Sequence, residues 1–131
     1  MPIIHPPKPG SALWVTAHPR AASLNGRLFR EGVSALSTRY QVATSDLYAQ
    51  GFNPVLGDSD LGGLAGVPGN LAVQAGESYA AGQLPAEVQA EQAKLAAAEL
   101  LVLQFPLWWY GPPAILKGWF DRVLTDQFAY G

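Results

Sequence analysis

The stretch Leu100–Arg122, LLVLQFPLWWYGPPAILKGWFDR, constrains the fold more than any other part of the chain. An apolar run rich in β-formers stops at Pro106, gives way to a loop crowded with Trp and Tyr, and restarts as a helix after Pro112 and Pro113. The pattern predicts a buried strand over Leu100–Phe105, then a loop, then a helix from about Pro113 to Leu124. In an open α/β sheet the ligand crevice lies outside the carboxyl ends of the strands, where Pro106-Leu107-Trp108-Trp109-Tyr110-Gly111 falls. A connector that only has to turn does not need three consecutive large aromatics. Their flat faces and few rotamers suit stacking on a planar ring, so the loop reads as the wall of a planar-cofactor site. The competing reading is core packing at a helix–sheet junction.

Upstream, Ser11–Ala17 is a short apolar run suited to burial on both faces, and Leu24, Leu28, Val33 and Leu36 mark a helix over about Ser23–Ser37. Tyr40–Asp46 reads as the next strand, parallel to the first across a right-handed crossover. Gln50–Gln83 is Gly-rich, contains Pro54 and Pro68, and shows no sustained periodicity, so it is expected to be a long loop. The Ala-rich segment from Glu87 to about Leu100 is strongly helix-prone, with Pro85 at its first turn. The order β-α-β-loop-α-β-α predicts an α/β fold, a doubly wound parallel sheet of about three strands with flanking helices. Such a sheet has two long edges. Residues 1–131 are therefore expected to form a single domain incomplete at its C-terminus, with 1–10 a flexible Pro-rich leader and 50–83 the long Gly-rich loop.

Composition removes several classes of function. The formal charge is −2, and the 8 Lys and Arg are scattered, which argues against a nucleic-acid surface. No Cys is present, so a disulfide scaffold, a thiolate metal site and a cysteine nucleophile all fall away. His5 and His18 are too few for most His-based zinc sites, and no metal is expected. No segment has the length of a membrane span, and nothing in the N-terminal stretch resembles a signal peptide, so the expected location is cytoplasmic.

The turn His18-Pro19-Arg20-Ala21-Ala22-Ser23-Leu24-Asn25 lies between the first strand and its helix. Ser23 is a good N-cap, and the helix start offers free backbone N–H groups and the positive end of the dipole, an arrangement that accepts phosphate. The same residues read equally as a capped helix with a turn histidine. Neither G-x-G-x-x-G nor G-x-x-x-x-G-K-[ST] occurs. Lys117, Asp121 and Arg122 are assigned structural roles, and Asp58, Asp60 and Glu77 are expected to face solvent. Ser23 lacks a G-x-S-x-G context, and no catalytic residue is identifiable.

Ala17-His18 with Ser23-Leu24-Asn25, Ser45-Asp46-Leu47-Tyr48-Ala49 with Phe52-Asn53-Pro54, Ala90-Glu91-Gln92 with Lys94-Leu95, the run Gln104–Val123 and Phe128-Ala129-Tyr130 together resemble the flavodoxin-like NAD(P)H:quinone oxidoreductases, the DT-diaphorase family. The resemblance implies a flavin, FAD more often than FMN, with NAD(P)H as co-substrate. It also implies hydride relay to a quinone or other small aromatic acceptor. It places His18, Ser23, Leu24 and Asn25 at the flavin phosphates and Pro106, Leu107, Trp108, Trp109 and Tyr110 around the ring system. Trp109, Tyr110, Phe128, Ala129 and Tyr130 would border substrate, the last three commonly from the partner subunit of a homodimer. The resemblance further implies strands beyond Gly131, and Ala22 stands where some members carry a hydroxyl. The alternative is a non-catalytic flavodoxin-like remnant or ancillary subunit acting through protein association.

Overall fold

The computed structural model describes residues 10–131, so the leader expected over 1–10 lies, apart from Gly10, outside the described residues. Three strands, β1 (Gly10–Thr16), β2 (Tyr40–Asp46) and β3 (Leu100–Gln104), form one parallel sheet in the order β2-β1-β3. Four helices accompany them: α1 (Leu24–Leu36), α2 (Leu71–Ala80), α3 (Ala86–Ala97) and α4 (Ala114–Val123). The strands and the helices α1, α3 and α4 fall within a few residues of the segments expected from the sequence. Among the described residues, no helix is long and apolar enough to cross a membrane.

Side chains alternate between the two faces of a strand, and β1 uses both. Leu13, Val15 and Ala17 face one way and join Leu84 and Val88 with Leu116, Trp119 and Val123 of α4 in the main core. Burying each large aliphatic or aromatic side chain here contributes about 1.5–3 kcal/mol. Trp14 points to the opposite face, where its ring packs against Phe29 of α1, the centroids 6.5 Å apart. A Cβ on Gly32 would lie 2.1 Å from the tip of the Trp14 ring, so a glycine inside α1 is what lets that indole approach the helix so closely. The sheet is thus covered by α1 on one face and by α3 and α4 on the other.

The expectation of a structureless Gln50–Gln83 loop is corrected. Two short 3-10 turns, Asp58–Asp60 and Gly62–Leu64, precede α2, which is capped by Asn70 accepting from the Ala72 and Val73 amides at 2.9 and 3.3 Å. The buried residues of α2 are Gln74, Ala75, Gly76 and Ser78. Small and polar residues on the inward face carry no apolar period, which is why the helix left no hydrophobic signal. Gly118 makes a comparable close approach in α4, where a Cβ would lie 2.1 Å from the Pro54 carbonyl oxygen.

Asp60 is a second correction, because it is buried rather than facing solvent. Arg122 and Asp60 are each 1% exposed, and the guanidinium donates to the carboxylate through Nε at 3.1 Å and Nη2 at 2.9 Å. Nη1 donates to the Asn53 carbonyl at 2.7 Å and also to Glu87. Burial works to lower the Arg122 pKa, but the hydrogen bonds and charges of Asp60 and Glu87 outweigh it and hold the pKa above its ordinary value. The structural role expected for Arg122 is therefore specific: it fastens the 50–60 segment to α3 and α4. Lys117 and Asp121 pair on the surface at 2.7 Å, i to i+4.

Candidate functional site

The register Thr16↔Gln104 ends β1 and β3 side by side, and the Ala17 amide donates to the Gln104 carbonyl at 3.1 Å. The turn after β1 and the loop after β3 therefore leave the sheet as neighbours. Across the gap the rings of His18 and Trp108 meet edge to face, their centroids 6.1 Å apart.

Ser23 caps α1 as expected, its Oγ accepting from the Gly26 amide at 3.0 Å and donating to the Arg20 carbonyl at 2.6 Å. The Arg27 amide bonds to the Ser23 carbonyl at 3.0 Å and begins the helical ladder. The amides of Leu24 and Asn25, one and two residues into the helix, are thereby the free donors of the first turn. The Arg20 amide donates to His18 Nδ1 at 3.0 Å, which places the proton of a neutral imidazole on Nε2. Arg20, Arg30, Phe29, Asp46 and Tyr48 border a cavity of about 400 Å³ next to this turn, which brings two cations and one carboxylate to its lining.

The aromatic loop is a tight hairpin. Trp108 and Gly111 exchange backbone hydrogen bonds, Trp108 N–H to Gly111 O at 3.0 Å and Gly111 N–H to Trp108 O at 3.1 Å. The two residues between them have φ of 50° for Trp109 and 61° for Tyr110. Left-handed backbone at both central positions is the mark of a type I′ turn, which normally selects Asn-Gly or Gly-Gly. Here it carries Trp and Tyr, and their exposures are 96% and 94%. The Trp108 amide is committed to Gly111, so the loop meets its surroundings through its rings rather than through this donor. Leu107 is also exposed, and Pro106 is half-buried where the chain leaves β3.

Gln104 was not singled out from the sequence. Its side chain links Trp14, from which Oε1 accepts at 3.1 Å, to Asn25, to whose backbone and side-chain oxygens Nε2 donates at 2.7 and 3.2 Å. A lone amide closing the apolar strand LLVLQ was the available signal.

Phe128, Ala129 and Tyr130 are not brought to this hairpin within the chain. The Phe128 and Ala129 amides donate to the Thr125 carbonyl at 3.2 and 2.9 Å, and Gln92 donates to the Thr125 hydroxyl at 3.3 Å. Phe128 packs edge to face on Tyr79, 5.4 Å between centroids, while Tyr130 borders a cavity with Leu56, Ala72 and Phe120.

The parallel α/β sheet thus sets a capped helix start after β1 beside an aromatic hairpin after β3, both at the strands' carboxyl ends, where open α/β sheets form their ligand crevice. A family model described as a flavodoxin-like fold matches residues 11–131, and the chain belongs to that family. It is 44% identical over 122 residues to NAD(P)H dehydrogenase (quinone) 1 of Rattus norvegicus, a match covering 91% of this chain and 44% of the relative. It is 41% identical over 121 residues to ribosyldihydronicotinamide dehydrogenase (quinone) of Homo sapiens, covering 90% and 52%. A solved structure of a candidate quinone reductase from Klebsiella pneumoniae superposes with a TM-score of 0.79 at 36% identity, over 88% of this chain and 46% of that one. The chain spans about half the length of the curated relatives it matches.

Proposed function

We propose that the chain, as one flavodoxin-like unit, forms the flavin-holding part of an NAD(P)H:quinone oxidoreductase. The observation that carries this reading is the strained hairpin, which spends backbone energy to display Trp109 and Tyr110 beside the anion recess of α1. Residues held in sparsely populated backbone regions cluster at ligand sites. The residues fit a flavin in kind. The free Leu24 and Asn25 amides, the His18 Nε2–H and nearby Arg20 suit a phosphate or diphosphate, and the exposed aromatic rings suit a tricyclic ring system.

A flavin held here would supply hydride-transfer chemistry between NAD(P)H and a quinone or similar aromatic acceptor. This chain's residues bind and orient. The first turn of α1 holds the anionic end, Pro106 and Leu107 aim the loop, and Trp109 and Tyr110 shield one face of the planar ligand from water. FAD is the favoured flavin. Phe128, Ala129 and Tyr130 turn away from the hairpin of their own chain, which supports their serving the site of a second protomer in a homodimer. The scattered Lys and Arg support a small-molecule site rather than a nucleic-acid surface, and the cytoplasm is the proposed place of action.

The test is to load the chain with excess FAD, desalt it and record the visible spectrum. Flavin bands retained at near one-to-one ratio support the reading, and a colourless eluate rejects it for this chain.

A further inference from the structure

Gln104 does more than close β3. Its amide has two donors on nitrogen and two acceptor positions on oxygen, and its surroundings admit one orientation. The Trp14 indole nitrogen can only donate, so the atom 3.1 Å from it must be Oε1. The Asn25 backbone carbonyl can only accept, so the atom 2.7 Å from it must be Nε2. Reversing the Gln104 amide would set donor against donor at one end and acceptor against acceptor at the other. With Nε2 so placed, its second hydrogen requires an acceptor, and Asn25 Oδ1 at 3.2 Å is that atom. Asn25 Nδ2 is thereby turned away from Gln104, and it donates to no partner among the described residues. The starting point of this chain of choices, Trp14, owes its own position to the missing side chain at Gly32.

We propose that Trp14 and Gln104 are positioning residues that fix the amide of Asn25 with its N–H₂ face toward the ligand, committing the recess to oxygen acceptors of the phosphoryl type. The proposal rests on the reading of this turn as the flavin's anionic end. The selection acts by hydrogen-bond polarity, since a neutral amide free to rotate offers a ligand either a donor or an acceptor. Locked through Gln104 by an indole on the adjacent strand, it offers only donors.

The test compares the unmodified chain with Trp14→Phe, which keeps a ring on Phe29 but removes the donor, and Gln104→Met, which keeps the length but removes the amide. FMN and riboflavin, which differ by a phosphate, are titrated against each, and inorganic pyrophosphate is titrated while the side-chain amide signals are followed by ¹⁵N NMR. The expected result is a loss of FMN affinity of about tenfold in Gln104→Met and about threefold in Trp14→Phe, with riboflavin affinity unchanged. The Asn25 NH₂ signals should shift with pyrophosphate in the unmodified chain and much less in either variant. An unaltered FMN-to-riboflavin ratio, with an unaltered Asn25 response, in a folded Trp14→Phe chain overturns the relay while leaving flavin binding intact. A pyrophosphate response that depends on Trp14 and Gln104 in a chain that binds no flavin supports the relay and overturns the flavin reading. No response of Asn25 to either phosphate ligand in the unmodified chain overturns the relay outright.

Discussion

Replacing Trp109-Tyr110 by Asn-Gly should stabilise the folded chain while removing the ligand wall proposed for these rings. Each of the two residues sits in the left-handed region, at φ of 50° and 61°, where a side chain bearing Cβ costs roughly 1–2 kcal/mol. Asn tolerates that region and Gly adopts it freely, whereas Gly adds about 0.5–1 kcal/mol of unfolded-state entropy. The rings themselves return little to the fold, being 96% and 94% exposed, so their removal forfeits almost no buried area. The neighbouring Trp108 keeps its contact with His18 and its pairing with Gly111. The balance is a net gain of about 1 kcal/mol, or roughly 3–5 °C in melting temperature for a domain of this size. Thermal unfolding followed by far-ultraviolet circular dichroism, together with FAD retention after desalting, reads both halves of the prediction. A melting temperature that falls would refute the reasoning, because it would mean that the two rings carry contacts holding the fold together.

The remaining predictions follow the same logic. Trp109→Ala alone should lower retained flavin and slow quinone reduction, and equal flavin content and rate would remove this ring from the site. Asn25→Leu should speed dissociation of a bound flavin with circular dichroism unchanged, and an unaltered off-rate would count against the anion recess. Asp60→Ala leaves the guanidinium of Arg122 buried beside an empty position and should cost about 3–5 kcal/mol in urea unfolding. The pKa of Arg122 is raised in the folded chain, so the stability it contributes is fully present below its unfolded value and is lost only as pH rises through the higher folded one. Between neutral and moderately alkaline pH, Arg122 should therefore contribute no pH dependence to unfolding, which a urea series across that range will check. Gly118→Ala drives a Cβ into the Pro54 carbonyl and should destabilise by about 1–3 kcal/mol in the same assay.

Periodicity and punctuation carried much of the fold. Apolar runs bounded by Pro and by polar turns located β1 and β3, whereas the mostly polar β2 was located by its place after the short turn that follows α1. Ser23, Pro85 and Pro113 marked helix starts through local backbone chemistry that operates without tertiary contacts. The candidate site was legible for the same reason. A Trp-Trp-Tyr cluster between Pro and Gly is conspicuous in the chain itself, and its place after a strand followed from strand order.

What stayed hidden depends on neighbours distant in sequence. The helix α2 buries Gln74, Ala75, Gly76 and Ser78, a face defined by what packs on it rather than by its own hydrophobicity. Asp60 reads as a surface charge until Arg122, 62 positions later, closes on it. The left-handed geometry at Trp109 and Tyr110 arises from the Trp108–Gly111 pairing, which overrides the preference of both residues. The orientation of Asn25 is set through Gln104 by an indole on another strand. The sequence alone determined which segments become strands and helices and where the aromatic surface falls, since those follow from interactions spanning a few residues. Only the tertiary structure decided which polar groups are buried together and which way their donors point, because burial and hydrogen-bond polarity belong to the packed assembly.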